Sequence, residues 1–332
     1  MSTQPVPSAG KAGRRWPRRV AWGLLAVVLL LAAYATSLYF WAGSRLRTTA
    51  AFSAYEGRPA RGEGTDWLLV GSDSRAALTP EQRKDLHVGN DQGLNTDTIM
   101  LLHHGDSGPY LVSIPRDSYV TVPGHGRNKI NAAYALGGAP LLTRTVEQAT
   151  GLRVDHYAEV NFLGFVDVVD ALGGVRICVP AGGLHDAKSG ADFAAGCQEM
   201  DGVRALRYVR ARYSDPLGDL GRVKRQRQLV SAVADKATGL SVLLPPWELI
   251  PFAGAALDAL TVDDDTGVGA LARLGLEMSD LSGGSGATTT VPVASEPEIP
   301  GVGDVVVWDR AKAGQLFDAL RNDTSIPTSD AN

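Results

Sequence analysis

Cysteine and histidine are scarce in this sequence, which has two cysteines and six histidines among 332 residues. The cysteines form no CxxC pair and the histidines have no metal-ligand spacing, so the sequence does not fit a zinc site built from these residues. It also lacks a GxSxG elbow, an HExxH helix and a GxxxxGK[ST] loop. These absences argue against the common serine hydrolases, zinc proteases and P-loop nucleotide enzymes.

Outside the N-terminus, acidic residues outnumber basic residues. The formal net charge is −4, and residues 1–19 contain five basic residues and no acidic one, so the remainder carries −9. A net acidic body is a poor electrostatic partner for DNA or RNA. We therefore expect no nucleic-acid partner.

Charge is absent from one long run, Val20–Trp41. As a helix this run would reach roughly 33 Å, which is enough to span a bilayer. We predict a cytoplasmic basic tail at 1–19, a transmembrane helix at 20–41 and a body outside the cell membrane, because flanking basic residues stay cytoplasmic. The alternative is a cleaved signal peptide, since Ala33-Tyr34-Ala35 fits a cleavage site. Both interpretations export the body.

The two cysteines, Cys178 and Cys197, lie 19 positions apart in a glycine-rich stretch. In an oxidising compartment we expect them to form a disulfide. A loop of that size would stabilise the fold by roughly 3 kcal/mol. Two buried thiols are the alternative.

Strand-like and helix-like segments alternate along the rest of the chain. The apolar runs DWLLVG, TIMLLHH and YLVSIP predict buried strands, and HYAEVNF and VRICVP predict two more. Helices are predicted for NKINAAYALGG onwards to Gly151, for FLGFVDVVDALGG, from Gly221 to about Thr238, and for DRAKAGQLFDAL behind an Asp cap. This order predicts an α/β sandwich around a largely buried sheet. Adjacent His103 and His104 should face opposite sides of their strand as structural residues.

The domain boundaries follow from these patterns. We predict a linker at 42–64, one catalytic domain at 65–322 and a polar tail at 323–332.

The most basic stretch of the body is YVRARYSDPLGDLGRVKRQRQ, Tyr208–Gln228. Arg222, Arg225 and Gln226 share one face of a predicted helix, and Arg210 and Arg212 precede it across a loop. Arginine forks suit the oxygens of a phosphate. A solvated basic helix with ion pairs to Asp215 and Asp219 is the alternative.

Acidic and basic side chains also follow the ends of predicted strands. Asp73 lies in SDSR, Asp97 in NTDT, and Arg75 and Arg116 flank the same strand ends. Carboxylates with nearby hydroxyls make an oxygen-rich site of the kind that Mg²⁺ uses. Ligands of open α/β sheets bind at the carboxyl ends of strands. Together these residues predict a pyrophosphate site, although either aspartate alone is as readily a turn or cap residue.

Several motifs occur in the order typical of one family. GSDSR, NTDTIML, LVSIPRDSYV, NKINAAYALGG, NFLGFVDVVDALGGV and the basic stretch together resemble the LytR-CpsA-Psr family over about residues 64–322. The resemblance implies a three-layer α-β-α sandwich around a mixed sheet, with one N-terminal transmembrane helix. It also implies a ligase that takes a glycopolymer from a polyprenyl-pyrophosphate carrier. Such enzymes attach the polymer to peptidoglycan through a phosphodiester and release polyprenyl phosphate.

The resemblance also assigns roles to residues. The metal carboxylates fall on Asp73 and Asp97, which implies Mg²⁺ or Mn²⁺ as cofactor, and the essential arginine falls on Arg116. Pyrophosphate-binding groups fall on Arg75, Arg210, Arg212, Arg222 and Gln226, with Asp219 in support. The prenyl chain would lie in a pocket that Phe162, Phe165, Val166 and Val169 help to line, although these are equally good core residues.

One position departs from the family pattern. Asn95 stands where many members have an arginine, two positions before the second metal carboxylate. Either one pyrophosphate contact is lost here, or Lys129 or Arg225 replaces it. The base that accepts the proton of the attacking hydroxyl remains open between Asp73 and Asp117.

Other functions and details stay open at this level. A membrane-held protein that binds a lipid-linked glycan without turnover would show the same motifs. A transcriptional regulator is opposed by the predicted topology, because an exported domain cannot reach the chromosome. A pyrophosphatase side activity is plausible when no acceptor is present. The sequence does not identify the glycopolymer.

Overall fold

The structure, a computed structural model, describes residues 16–72, 96–211, 218–243, 245–282 and 286–326. Within these ranges, the side chains at 16–19, 97, 218–220, 222, 223, 243 and 282 lie outside the described part. The chain divides into an N-terminal unit ending at Ser44 and a body beginning at Arg45.

The described part of the N-terminal unit is the helix α1 (Trp16–Arg45), whose last residue is the first of the body. Its segment Val20–Arg45 is long and apolar enough to cross a membrane, judged by length and composition. A signal sequence would meet the same criterion.

A mixed sheet forms the centre of the body. Its strands are β1 (Arg47–Thr49), β2 (Thr65–Ser72), β3 (Thr96–Gly105), β4 (Gly108–Ile114), β7 (His156–Asn161), β12 (Leu260–Asp263) and β13 (Ala287–Thr290). Among the described residues the strand order is β1-β12-β7-β2-β3-β4-β13. β2 is parallel to β7 and antiparallel to β3, and β4 is antiparallel to β3. The strands predicted from DWLLVG, TIMLLHH, YLVSIP and HYAEVNF are therefore all present.

Helices cover both faces of this sheet. The described helices of the body are α2 (Ile130–Thr150), α3 (Phe162–Ala171), α4 (Gly202–Arg210), α5 (Gly218–Ala237), α6 (Leu240–Leu243), α7 (Pro246–Ala259), α8 (Val268–Ser282) and α9 (Arg310–Arg321). Leu142 of α2 and Phe317 of α9 share a buried cluster with Leu68 and Leu101 on one face. Leu281 of α8 packs with Trp67 on the other. The predicted α-β-α sandwich is confirmed.

Short strands complete the body. These are β5 (Tyr119–Val122), β6 (Gly126–Lys129), β8 (Val175–Val179), β9 (Leu184–Asp186), β10 (Ala191–Phe193), β11 (Gly196–Met200), β14 (Val293–Ser295), β15 (Glu298–Ile299), β16 (Gly303–Asp304) and β17 (Val307–Trp308). β8 and β11 pair antiparallel with Cys178 opposite Cys197. These cysteines form the predicted disulfide.

The pairing register defines two edges of the central sheet. We call upper edge the side where β2 ends at Ser72, β4 at Ile114 and β7 at Asn161, and where β3 begins at Thr96. The lower edge is the side of the β3–β4 turn. Arg116, which follows the carboxyl end of β4, therefore lies at the same edge as the end of β2.

Helix α2 is interrupted where its sequence carries glycines. Gly137 and Gly138 are not helical, and Gly138 has a φ of 62°. Gly151 ends the helix with a φ of 71°, a conformation that favours glycine. The predicted stop at Gly151 is confirmed.

The segment predicted as a linker, 42–64, packs on the body in part. Its residues 47–49 form the edge strand β1, which pairs with β12. Tyr55 donates a hydrogen bond to buried Glu147 over 2.7 Å, and Arg58 forms an ion pair with the same carboxylate. Three extended residues are too short a pattern to stand out in a sequence.

The adjacent histidines lie on opposite faces, as predicted. His103 is fully buried, with its Nδ1 2.8 Å from Asp66 Oδ1. His104 Nε2 lies 3.9 Å from Glu277 of α8. Burial acts to lower the pKa of His103, but the hydrogen bond and charge of Asp66 outweigh it and the pKa is raised. We assign His103 a structural role at the lower edge.

Candidate functional site

The start of β3 and the end of β2 meet at the upper edge with an irregular register. Thr98 pairs with Gly71, but Thr96 pairs with Ser72, so Asp97 occupies an extra position between them. Such bulges re-aim side chains at sheet edges. Asp73 directly follows Ser72 in the sequence and, like Arg75, lies outside the described residues, as does the side chain of Asp97. The backbone therefore brings Asp97 next to the end of β2, which Asp73 follows.

A buried hydroxyl lies beside this bulge. Thr96 is fully buried, and its Oγ1 has no hydrogen-bond partner within the described part of the chain. Hydroxyl and carboxylate oxygens are ligands that Mg²⁺ uses. No group of three or more His, Cys, Asp or Glu among the described residues could hold a metal ion. The donor set at this edge thus fits a hard cation only if Asp73 and Asp97 contribute.

Arg116 lies two residues beyond the end of β4 and shares a carboxylate with Lys129. Arg116 Nε is 3.4 Å from Asp117 Oδ2, and Lys129 Nζ is 3.0 Å from Asp117 Oδ1. The backbone here is fixed, because Ser118 N donates to the Pro115 carbonyl and Asn131 N to the Arg116 carbonyl. Two cations thus face one described carboxylate at the upper edge.

Arg210 reaches the same edge from a different element. It is the last residue of α4, and its guanidinium lies 5.2 Å from the ring centroid of Phe162. Phe162 begins α3 directly after Asn161, which pairs with Ser72. Asn161 Oδ1 accepts a hydrogen bond from Gly164 N and caps α3. The cap and the cation–π contact hold Arg210 close to the end of β2.

The basic helix predicted from Gly221 is α5, which begins three residues earlier. Arg225 is buried, and its Nη2 donates to the carbonyl of Ala211 at the end of α4. Gln226 is half-buried. Arg212 lies outside the described residues, and so do the side chains of Asp219 and Arg222, although both belong to α5.

A second contact ties α5 to its surroundings. Tyr208 donates a hydrogen bond to Gln228 Oε1 over 2.8 Å, and Gln228 Nε2 donates to the Cys178 carbonyl over 3.0 Å. α4, α5 and the disulfide-bonded strand β8 are therefore fixed to one another. This arrangement positions the basic face of α5 relative to Arg210.

The residues predicted to line a lipid pocket lie in a packed cluster. Phe162, Val166 and Val169 are buried together with Val175, and Phe165 packs against them partly buried. A Cβ on Gly202 would overlap the Val166 carbonyl, so α3 and α4 are in close contact. The lipid-binding role of these side chains stays a prediction.

A polar cluster just below the edge was missed by the sequence interpretation. Glu159 of β7 accepts hydrogen bonds from Tyr134 of α2 and from Tyr157, each over 2.6 Å. Burial raises the pKa of both tyrosines, and Glu159 raises them further. Glu159 pairs with Val70, two positions from the end of β2. In the sequence, the sign of this cluster is the single acidic residue within the strand run HYAEVNF.

Comparisons with known proteins identify the family of this chain. A model of the LytR_cpsA_psr family matches residues 44–321. The chain is 47% identical over 330 residues to the probable cell wall biosynthesis protein LcpB of Corynebacterium glutamicum, covering 96% of this chain and 77% of LcpB. It is 39% identical over 153 residues to the polyisoprenyl-teichoic acid–peptidoglycan teichoic acid transferase TagU of Enterococcus faecalis, covering 46% of this chain and 50% of TagU.

Solved structures share the fold. The LytR-Csp2A-Psr enzyme from Actinomyces oris superposes with a TM-score of 0.65 at 20% sequence identity, covering 83% of this chain and 97% of that one. At that identity the likeness shows the fold alone. The family model, by contrast, matches nearly the whole body by sequence. LcpB is similar along almost the entire length of this chain. This chain belongs to the LytR_cpsA_psr family.

Proposed function

We propose that this protein transfers a glycopolymer from a polyprenyl-pyrophosphate carrier to peptidoglycan, forming a phosphodiester and releasing polyprenyl phosphate. Family membership supports a transferase of the cell wall, and the printed name of TagU describes such a transfer for that protein. The chain spans only half the length of TagU. The observation that carries the proposal is the pairing of Arg116 and Lys129 with Asp117 at the edge to which Asp97 also comes.

The reaction joins an acceptor hydroxyl of peptidoglycan to the phosphorus next to the sugar. The bond between that phosphorus and the bridging oxygen breaks, and the lipid leaves as polyprenyl phosphate with that oxygen. The hydroxyl proton passes to a base, either Asp73 or Asp117. Phosphoryl transfer depends on positioning and charge neutralisation more than on covalent help.

The cations of the upper edge would supply that neutralisation. Arg116 is aimed by Asp117 and by its fixed backbone, so its guanidinium would bind the developing charge without reorganising. Arg210, Lys129 and the basic face of α5 would bind the pyrophosphate oxygens together with Arg75, Arg212, Arg222 and Gln226. Arginine suits this because its fork binds two oxygens at once.

Asp73 and Asp97 would hold Mg²⁺ or Mn²⁺, with buried Thr96 beside them. When bound, the ion would neutralise pyrophosphate charge. Hydrolysis of the pyrophosphate by water would follow as a side reaction in the absence of acceptor.

The proposed location is a cell membrane, with the N-terminus cytoplasmic and the body outside. The basic residues before the span and the Cys178–Cys197 disulfide of the body both support this topology.

Donor turnover tests the proposal. The full chain in lipid vesicles is given a polyprenyl-pyrophosphate-linked sugar, with peptidoglycan and with either Mg²⁺ or EDTA. We expect polyprenyl phosphate to be released with Mg²⁺ and not with EDTA. Saturable donor binding without release under either condition would instead identify a binding or scaffold protein.

A further inference from the structure

Exposed apolar side chains of the body occur close together in sequence, on α6 and in the first turns of α7. Leu240 of α6 and Trp247 and Ile250 of α7 are 71%, 76% and 38% exposed. Pro246 and Pro251 lie beside them and are exposed as well. We call these five residues the apolar patch. In the described part of the body, the other exposed large apolar residues, Leu136 and Leu276, are separate from it in sequence. Such clustering on a soluble surface marks a site of interaction.

The helix that carries the patch is tied to the point where the chain enters the body. Arg45 is the last residue of the candidate membrane span, and its Nη1 lies 2.5 Å from Asp258 Oδ2 near the end of α7. Pro251 and Asp258 follow Trp247 by four and eleven positions. All three residues therefore lie on the same face of α7. Two patch residues, Trp247 and Pro251, therefore belong to the helix face that Arg45 contacts.

The strand pairing independently places α7 near the point where the chain enters the body. β1 begins at Arg47, two residues after the span, and pairs with β12, which directly follows α7. α7 has 14 residues, so its far end is about 20 Å from the span's exit. The patch residues on α7 are thus within one helix length of Arg45, where the body begins.

We propose that the apolar patch inserts into the interfacial layer of the membrane that α1 spans, on the outer leaflet. Tryptophan favours this layer because its ring is apolar and its N–H is polar. Leu240, Ile250 and the prolines would enter the acyl boundary, while exposed Glu248 stays in water at the rim. The tether favours the bilayer over a protein partner, because α1 holds the patch at a high effective concentration beside it. The inference rests on the membrane location of the proposed function.

Insertion would orient the candidate site. α7 packs closely on α3, where a Cβ on Gly164 would lie 2.7 Å from Ala259 Cβ. α3 begins at Phe162 under Arg210. The two helices thus link the patch to the upper edge, where a lipid-borne pyrophosphate would be bound at the height of the headgroups.

A spin label placed beside the patch tests this. The chain's two cysteines form a disulfide, so Ser241→Cys, at an exposed position next to Leu240, provides the single thiol for a nitroxide. The full chain is reconstituted in phosphatidylcholine–phosphatidylglycerol vesicles. Collision of the label with oxygen, which concentrates in the acyl region, is compared with collision with a water-soluble nickel chelate. Asp106→Cys, exposed in the β3–β4 turn at the lower edge, carries the reference label.

We expect the oxygen-to-nickel ratio to be several-fold higher at 241 than at 106. Adding Leu240→Ser, Trp247→Gln and Ile250→Ser should lower the ratio at 241 to the reference value. Leu276→Gln, which changes an exposed leucine next to Glu277 on the lower-edge side, should not alter it. Equal ratios at 241 and 106 in the chain with the intact patch would overturn the proposal. The measurement uses no donor, so its outcome is separate from that of the transfer assay.

Discussion

Asp117 is the residue that connects the cations of the candidate site. It is buried and lies within ion-pair distance of both Arg116 and Lys129. Holding two long cationic side chains in advance reduces the ordering that a bound anion would otherwise require. At Asn95 the sequence leaves three outcomes open, namely a lost pyrophosphate contact or its replacement by Lys129 or by Arg225. The position of Lys129 beside Arg116 favours replacement by Lys129, which stays a prediction.

Arg116→Ala should abolish most of the transfer activity. Removing one preorganised group that binds transition-state charge lowers kcat by about 10²–10³-fold. We expect the fold to survive, because Arg116 lies in a turn after β4 and contributes no large apolar side chain to the core. The initial rate of polyprenyl phosphate release and the far-UV circular dichroism of the variant measure both effects.

Arg127→Ala is the matched control for that change. Arg127 stacks on the Tyr119 ring at 4.2 Å and is exposed in β6. Its removal should leave the rate nearly unchanged. A near-normal rate for Arg116→Ala would remove Arg116 from the mechanism.

Some residues of this site could be located from the sequence pattern, and others could not. The positions of Arg116, Asp97 and Arg210 could be predicted because each lies next to or within a strongly patterned element, and their roles stay predictions. Glu159 could not, because its importance depends on Tyr134, which comes from a helix 25 positions earlier. Arg225 was assigned to the anion, whereas its bond to the Ala211 carbonyl also fixes α5 to α4. Contacts between distant residues carry no local pattern.

At the scale of elements, α3, α4 and α5 act as one support for Arg210. α4 contacts α3 at Gly202, and α5 is held to α4 through Arg225 and Tyr208. The orientation of Arg210 towards Phe162 depends on the spacing of the first two helices. A change that separates them should therefore affect both stability and donor binding.

Gly202→Ala is the change that tests this support. The new Cβ would overlap the Val166 carbonyl, so α3 and α4 must move apart. We expect the free energy of unfolding to fall by about 1–3 kcal/mol, as in other overpacked sites. Urea unfolding of the detergent-solubilised chain measures this, and the Kd for the donor should rise.

Gly275→Ala provides the comparison within a helix. A Cβ added to Gly275 of α8 would have no atom within 4 Å, so alanine should be neutral or stabilise the helix by up to about 1 kcal/mol. Equal stability of the two variants would show that the α3–α4 contact does not constrain the fold.

Long elements with clear periodicity were predictable, and short ones were not. The end of α2 at Gly151 and the Asp309 cap of α9 were read from single residues whose physical roles are local. β1 and α6 contain three and four residues, and tertiary pairing rather than propensity stabilises elements this short. The interruption of α2 at Gly137 and Gly138 falls inside a continuous helical pattern, which concealed it.

For the body as a whole, the order of strands determines what meets at the upper edge. β12 comes late in the chain but lies between β1 and β7, with Leu260 opposite Val160. This pairing places the beginning of β1, where the chain enters the body, at the same edge as the candidate site. Alternating strands and helices predicted the layers of the sandwich, but not this order, because non-local pairing leaves no periodic signal.

If the proposed function holds, the membrane anchor would contribute to catalysis. A lipid-linked donor and an anchored enzyme share one layer, which raises their encounter rate. β1, where the chain enters the body, begins at the upper edge, so the proposed membrane location would keep a lipid-linked pyrophosphate close to the arginines. The glycan would then extend away from the membrane towards peptidoglycan.

The fate of one phosphorus atom tests the central claim most directly. A donor carrying ³²P only in the phosphate next to the sugar is incubated with the full chain in vesicles, Mg²⁺ and peptidoglycan. Transfer as proposed puts the label into the peptidoglycan-linked phosphodiester, and the released polyprenyl phosphate is unlabelled. Label that stays on the lipid or is released as free sugar phosphate, with none in peptidoglycan, would contradict the assignment of this protein as a glycopolymer ligase.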